Sequence, residues 1–183
     1  VNSRVKPTEA IGKAIAQCKV PPQLWMNAAS ATIYRHSYEP MDEDTGQAGE
    51  GFSVDVCRQW EAAVHRIDTP STRKILMRIS MVMGRDGGIV PVVKRLACFG
   101  LGGKMGPGNQ YMSWLHEEDF AGIVDWCIRN EKISGPINCS APNRVTNSHF
   151  MNEARKACGN PIGLPAARWM LEAGAVLLQT ETE

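Results

Sequence analysis

The strongest constraint on the fold is an alternation of two periodicities. Short apolar runs of strand length fall at residues 23–29, 74–83, 111–115 and 136–140. Between them lie stretches with helical spacing, at residues 3–17, 52–64, 91–98, 117–130, 146–158 and 164–178. Strands that alternate with helices predict an α/β fold with a mainly parallel sheet and helices on both faces. The apolar stripes of three helices are Ala10, Ile11, Ala14 and Ile15; Phe52, Val56, Trp60 and Ala63; and Phe120, Ile123, Val124, Cys127 and Ile128. The punctuation agrees. Pro21-Pro22 ends the first helix, Thr146 suits an N-cap, and Gly159 and Pro161 stop the helix after it. Residues 39–51 read as a polar surface loop and residues 100–108 as a glycine-rich one.

The length of 183 residues is enough for a real core, and 43% hydrophobic with 21% charged residues is ordinary for a globular chain. A net charge of +1, with both signs interspersed, gives no basic face for nucleic acid and no polybasic run for an anionic membrane. No apolar stretch approaches the ~20 residues of a membrane span. The six cysteines (18, 57, 98, 127, 139 and 158) form no Cys-x-x-Cys and lie at no zinc spacing. They read as buried thiols of a reduced, cytoplasmic protein, and no carboxylate cluster suggests a metal.

One strand end carries a motif. Ser30-Ala31-Thr32-Ile33-Tyr34 follows the apolar run Leu24-Trp25-Met26. It resembles the Ser-Ala-Thr-Val-Tyr signature of the extended short-chain dehydrogenase/reductase superfamily, which includes the nucleoside-diphosphate-sugar epimerases and dehydratases. Further blocks resemble the same superfamily: Met77-Arg78-Ile79-Ser80-Met81-Val82-Met83-Gly84, the segment from Gln110 to Asp119, and Gly135-Pro136-Ile137-Asn138. Gly84-Arg85-Asp86-Gly87-Gly88, Gly100-Leu101-Gly102-Gly103, Ser113-Trp114-Leu115-His116 and Ser140-Ala141-Pro142-Asn143 resemble an epimerase-like subfamily more narrowly.

The resemblance implies a Rossmann-like sheet and a dependence on NAD or NADP. It implies hydride transfer on a small substrate, of the sugar-nucleotide type, in a cytoplasmic protein that forms a homodimer. Residues 1–90 would be the second part of the dinucleotide-binding domain. Residues 91–183 would be a mixed substrate-binding region with returning Rossmann elements. Ser30 would polarise the reacting oxygen, and Tyr34 or water would carry the proton. Ala28, Ala29 and Met81 would line the cofactor, and Arg85, Trp114 and His116 would hold the substrate. Each has a plainer reading: a strand-end serine bonding backbone, a packing tyrosine, a solvated turn at Arg85-Asp86, a helix-capping His116.

The chain also departs from the pattern. A Tyr-x-x-x-Lys pair should open the helix after the loop, where Phe52 and Val56 stand instead. Neither exchanges protons. Phe at that place is common in the subfamily, so the departure leaves two readings: an enzyme with another proton route, or a non-catalytic dinucleotide-binding or sensor protein. The family's opening Gly-x-x-Gly-x-x-Gly turn has no counterpart here. Gly100-Leu101-Gly102-Gly103 has the composition but follows a helix. The expectation is a sheet without its first strands, part of a longer polypeptide, with an apolar edge exposed.

Overall fold

Seven strands and five helices alternate along the chain in the computed structural model, which describes residues 1–166. Two units emerge among the described residues: Val1–Ser80 with Glu118–Ser140, and Met81–Glu117 with 141–166.

The first unit is built on a three-stranded parallel sheet of β1 (Leu24–Ser30), β2 (Arg73–Ile79) and β6 (Gly135–Cys139), with β2 in the middle. A central parallel strand is covered on both faces, and the consecutive residues Ile75, Leu76 and Met77 are all buried. Burial of Ile75 and Leu76 contributes ~1.5–3 kcal/mol each. Side chains alternate across the sheet. Lys74 points to one face, where its Nζ donates to the carbonyls of Val64 (3.2 Å) and Ile67 (2.5 Å). On that face α1 (Asn2–Gln17) and α2 (Phe52–His65) pack, and Ile15, Trp25, Ala29, Val64 and Leu76 form one cluster. Arg73 points to the other face and donates to the carbonyls of Ile133 (2.6 Å) and Cys127 (3.0 Å), the latter in α4 (Glu117–Arg129). Helices therefore cover both faces, as the alternation predicts.

The helix faces differ from the predicted stripes. In α1 the buried row is Thr8, Gly12 and Ile15, while Ala10, Ile11 and Ala14 are exposed. Gly12 sets the approach: a Cβ there would lie 2.6 Å from Ile67 and 2.8 Å from Trp25, so the helix packs through its smallest residue. In α2 the buried residues are Val54, Cys57, Glu61, Ala63 and Val64. Phe52 is 66% exposed and Trp60 half-buried. The indole of Trp60 donates to Thr8 Oγ1 (3.0 Å) under the Arg4 guanidinium, 4.9 Å from the ring.

Two runs that read as single strands are each divided. The run 74–83 breaks at Ser80, whose amide and hydroxyl both donate to the Cys139 carbonyl (3.1 and 2.9 Å). β3 (Met81–Met83) then pairs in parallel with β5 (Trp114–His116) in the second unit. The run 111–115 breaks at Ser113, and its first part, β4 (Tyr111–Met112), pairs antiparallel with β7 (Val145–Thr146). The second unit also holds α3 (Val90–Cys98) and α5 (Asn147–Ala157), with Val93, Ala97, Leu115 and Met151 buried. Thr146 caps α5 by accepting the His149 amide (3.3 Å). Of the helix predicted at 164–178, residues 164–166 are not helical, and Ala166 bridges Met105 instead. The rest lies outside the described residues.

Burial of the cysteines is mixed. Cys57, Cys127 and Cys139 are buried, Cys158 is half-buried, and Cys18 and Cys98 are exposed, because both of the last two stand at helix C-termini. Among the described residues no helix is long and apolar enough to cross a membrane, and no His/Cys/Asp/Glu group is placed to hold a metal.

Candidate functional site

The carboxyl ends of parallel strands are where open α/β sheets place ligands. Ser30 is the last residue of β1 and caps the short 3-10 turn Ala31–Ile33. Its Oγ accepts the Thr32 amide (3.3 Å) and lies 2.7 Å from Thr32 Oγ1, on an exposed edge. A hydroxyl has one donor and two acceptor sites, so the capping role leaves Ser30 able to meet a ligand oxygen. Behind it, burial pushes the Cys57 thiol up, opposed by a hydrogen bond with Ser30.

Tyr34 is fixed much more tightly. Its hydroxyl donates to Asn138 Oδ1 (2.8 Å) and accepts from Arg78 Nη1 (2.7 Å). Arg78 grips the Glu61 carboxylate in a fork, at 2.9 and 3.0 Å, and its guanidinium also lies over the Tyr34 ring. Both charged side chains are about nine-tenths buried. The Glu61 hydrogen bonds, reinforced by the one to Tyr34, hold Arg78 protonated beyond the usual arginine range. Such bidentate, charge-assisted bonds are the strong ones. Glu61 lies on α2, Arg78 on β2 and Asn138 on β6, so one polar line crosses the strand ends.

Residues 39–51 are strapped over that line. The Asn138 amide donates to Glu43 Oε1 (2.6 Å) and its side chain to the Met41 carbonyl (3.2 Å). Tyr34 and Ala48 form an antiparallel bridge, flanked by Arg35 N to Gln47 O and Gly49 N to Ile33 O, both 2.9 Å. Gly46 lies flat on the Tyr34 ring, where a Cβ would collide with it. Asp42 closes the strap, its carboxylate taking the Thr45 amide (2.6 Å) and hydroxyl (2.8 Å) and the Asp44 amide (3.0 Å). Those bonds hold its pKa below the usual carboxylate value.

The neighbouring positions on β1 differ from each other. Ala28 is exposed, a small side chain on an open part of the strand, and Ala29 is 4% exposed in the core. A ligand would meet Ala28 by its side chain and Ala29 only by its backbone.

In the second unit, the parallel register sets Met81 beside Trp114 and Met83 beside His116. The turn after β3 and the exposed His116 at the end of β5 are therefore adjacent. Met81 is half-buried, with its amide on the Ser113 carbonyl (3.2 Å). Trp114 is half-buried, its indole donating to the Asn143 carbonyl (3.0 Å). The Arg85 amide donates to Glu117 Oε1 (3.2 Å), and Gly84 packs against that carboxylate. The Arg85 guanidinium is exposed and makes no hydrogen bond among the described residues. Met81, Arg85, Trp114 and His116 thus share one small ladder, while Ala28, Ala29, Ser30 and Tyr34 share the other unit's strand end.

The glycine-rich loop is occupied by the fold. Gly103 and Gly106 donate to the carbonyls of Leu164 (3.2 Å) and Ala166 (3.0 Å), and Leu164 returns a bond to Gly100 (2.8 Å). A Cβ at Gly103 would overlap the Leu164 carbonyl. These amides are spent on backbone and are not a phosphate cradle, in agreement with the loop's poor sequence match.

Glu61, Arg78 and Asn138 are the residues that sequence reasoning overlooked. The signal was there. Arg78 interrupts an apolar strand, and Glu61 falls in the spacing of Val54, Cys57 and Val64. A charge on each of two core faces implies a pair.

No family model matches the chain. Curated relatives do. An epimerase family protein of Mycobacterium leprae (ML0860) is 32% identical over 163 residues, covering 89% of this chain and 52% of the relative. The human epimerase family protein SDR39U1 is 30% identical over 174 residues, covering 94% of this chain and 59% of the relative. The chain thus spans little more than half the length of the curated relatives it matches. The crystal structure of human SDR39U1 (isoform 2) with NADPH superposes with a TM-score of 0.87 at 31% identity, over 94% of this chain and 58% of that one. A nucleoside-diphosphate sugar epimerase of Corynebacterium glutamicum gives 0.71 at 27% identity, over 98% of this chain and 38% of that one.

Proposed function

We propose, because the chain belongs to the epimerase family of the extended short-chain dehydrogenase/reductase superfamily, that it carries part of an NAD(P)-dependent protein that transfers hydride to or from a small, sugar-nucleotide-type substrate. The observation that carries this reading is Ser30: a hydroxyl held by a short turn at the carboxyl end of a parallel strand, two residues beyond the exposed Ala28. The exposed Ala28 supports a nicotinamide at this point, since a small side chain leaves room for a flat ring. The glycine-rich loop gives the diphosphate no support, since its Gly100, Gly103 and Gly106 amides are spent on backbone carbonyls. The solved relative with NADPH makes NADP(H) the first cofactor to test.

The dinucleotide, when bound, supplies the hydride chemistry. Ser30 Oγ donates to the oxygen of the carbon that gains or loses hydride. Arg85, whose exposed guanidinium makes no hydrogen bond among the described residues, pairs with a phosphate or carboxylate. Trp114 gives an apolar wall, and His116 a polar edge beside it. Tyr34 is the proton carrier in this reading, with the Arg78 cation against its oxygen. To act, it exchanges its bond to Asn138 for one to the substrate.

One observation favours the second reading, a non-catalytic dinucleotide-binding or sensor protein. The Tyr34 hydroxyl is already satisfied, and Phe52, where the acid/base tyrosine would stand, has no proton to give.

A thermal-shift titration of the full chain with NAD(H) and NADP(H), followed by cofactor absorbance with sugar nucleotides, tests both. A ligand at a hundred times its Kd adds ~2.7 kcal/mol, which raises Tm by roughly 5–10 °C in a domain of this size. A shift with turnover supports the enzyme. A shift without turnover supports the sensor. No shift with any of the four forms overturns both.

A further inference from the structure

One reactive cluster in the second unit lies outside the residues assigned above. Cys98 ends α3 and Cys158 caps α5, 60 residues apart in sequence, and their sulfurs lie 2.7 Å apart. We propose that Cys98 and Cys158 form a reversible dithiol–disulfide couple, a redox modification site on the second unit.

Proximity of the two helix ends is maintained by the hydrogen bonds around them. Asn160 Nδ2 donates to the carbonyls of Ala97 (3.2 Å) and Cys98 (3.1 Å), which ties the α3 terminus to the turn after α5. The Cys158 amide is held by the carbonyls of Ala154 (3.2 Å) and Arg155 (3.0 Å). Access is adequate too: Cys98 is exposed and Cys158 half-buried. The remaining thiols lack one property or the other. Cys57, Cys127 and Cys139 are buried, and burial pushes all three thiols up, Cys139 to about 12. Cys18 is exposed with no cysteine partner among the described residues.

The chemistry balances with a small disulfide such as oxidised glutathione as oxidant. The Cys98 thiolate attacks it, forming a mixed disulfide and expelling one glutathione thiolate. The Cys158 thiolate then attacks the Cys98 sulfur, forming the protein disulfide and expelling the second. Two thiol protons go to water and two electrons end on the glutathione pair. The Cys98 sulfur beside it holds the Cys158 thiol up, and Cys158 is the less exposed, so Cys98 is the attacking partner and Cys158 the resolving one. The closed link joins the ends of α3 and α5, and α3 starts just beyond the turn that carries Arg85.

The test is to equilibrate the full chain in glutathione redox buffers, quench with iodoacetamide, and map the digest by mass spectrometry. The expected product is a Cys98–Cys158 linked peptide, lighter by two hydrogens, that appears in one transition as the oxidised fraction rises. Cys158→Ser should replace it with a persistent glutathione adduct on Cys98. Glutathione adducts on either cysteine of the wild-type chain without a linked peptide would overturn the proposal, as would a dominant link to Cys18. The wild-type map decides even if the variant fails to fold.

Discussion

Two strand ends look equally site-like in the sequence and differ sharply in the structure. After β1, the polar side chains of Tyr34, Arg78, Glu61 and Asn138 bond one another under a closed strap. After β3, the turn Gly84–Gly88 has an exposed arginine whose guanidinium bonds nothing described. The first arrangement is made of commitments, and its members stabilise the fold whatever else they do. The second leaves one charged group uncommitted among the described residues, the Arg85 guanidinium, which costs little to keep available. Motif matching weighs both alike. Hydrogen-bond accounting separates a group already spent from one still free to meet a ligand.

The two arginines give the largest contrast. Arg78→Met leaves the Glu61 carboxylate buried and unpaired, which should cost ~3–5 kcal/mol in denaturant unfolding. Arg85→Met should stay within ~0.5 kcal/mol. Equal losses in the two variants would collapse the distinction. If only R85M weakens substrate binding while stability holds, the free strand end is the recognition end.

Two glycines sharpen it next. Gly103→Ala drives a methyl into the Leu164 carbonyl and should destabilise by ~1–3 kcal/mol. A Cβ at Gly87 meets nothing within 4 Å, so Gly87→Ala should be near neutral. Thermal melts of both variants check this. A neutral G103A would mean that the glycine-rich loop is looser than its backbone bonds imply, and would return it to the list of ligand loops.

How much of this the sequence disclosed follows from which forces leave a local signature. The five described helices and the four strand-length runs appeared in the right order because period is local, while the two-residue β7 is too short to have a period. The breaks at Ser80 and Ser113 did not, since the chain changes partner there without changing period; only the distant Cys139 carbonyl and strand β7 reveal it. The stripe in α1 was misread because Gly12, not an apolar residue, marks the line of closest approach. Of the candidate site, the positions were legible and their bonding was not. Tyr34 and Asn138 are 104 residues apart, and nothing local in either predicts their hydrogen bond.

The strap offers a smaller effect, read in acid. Asp42 has its pKa lowered by the Thr45 bonds, so its contribution is present above the ordinary carboxylate value and is lost as pH falls through the lowered one. Protection of the Arg35 and Gly49 amides, the strap's two backbone bonds to the Tyr34 segment, should fall on that descent when exchange is measured against the intrinsic rate at each pH. D42N should abolish this pH dependence. Unchanged protection in the wild-type chain down to the lowest pH at which it stays folded would show that the strap holds without the Asp42 carboxylate.

Ser30 should give the least effect on stability and the most information. Its bonds to Thr32 lie on an exposed edge, so S30A should cost only about 0.5 kcal/mol. A hydroxyl that stabilises charge on the reacting oxygen is worth far more at the transition state, and its loss should lower turnover by ~10²-fold or more. Thr32→Val removes the same Oγ–Oγ contact from the other side and leaves the Ser30 hydroxyl in place. If S30A and T32V lose turnover alike, Ser30 acts through the turn that it caps. If S30A alone loses it, with cofactor affinity unchanged, the hydroxyl itself meets the substrate. The strand end after β1 then holds one group whose bonds are light and exposed enough to exchange, and it stands where the sheet would place a ligand.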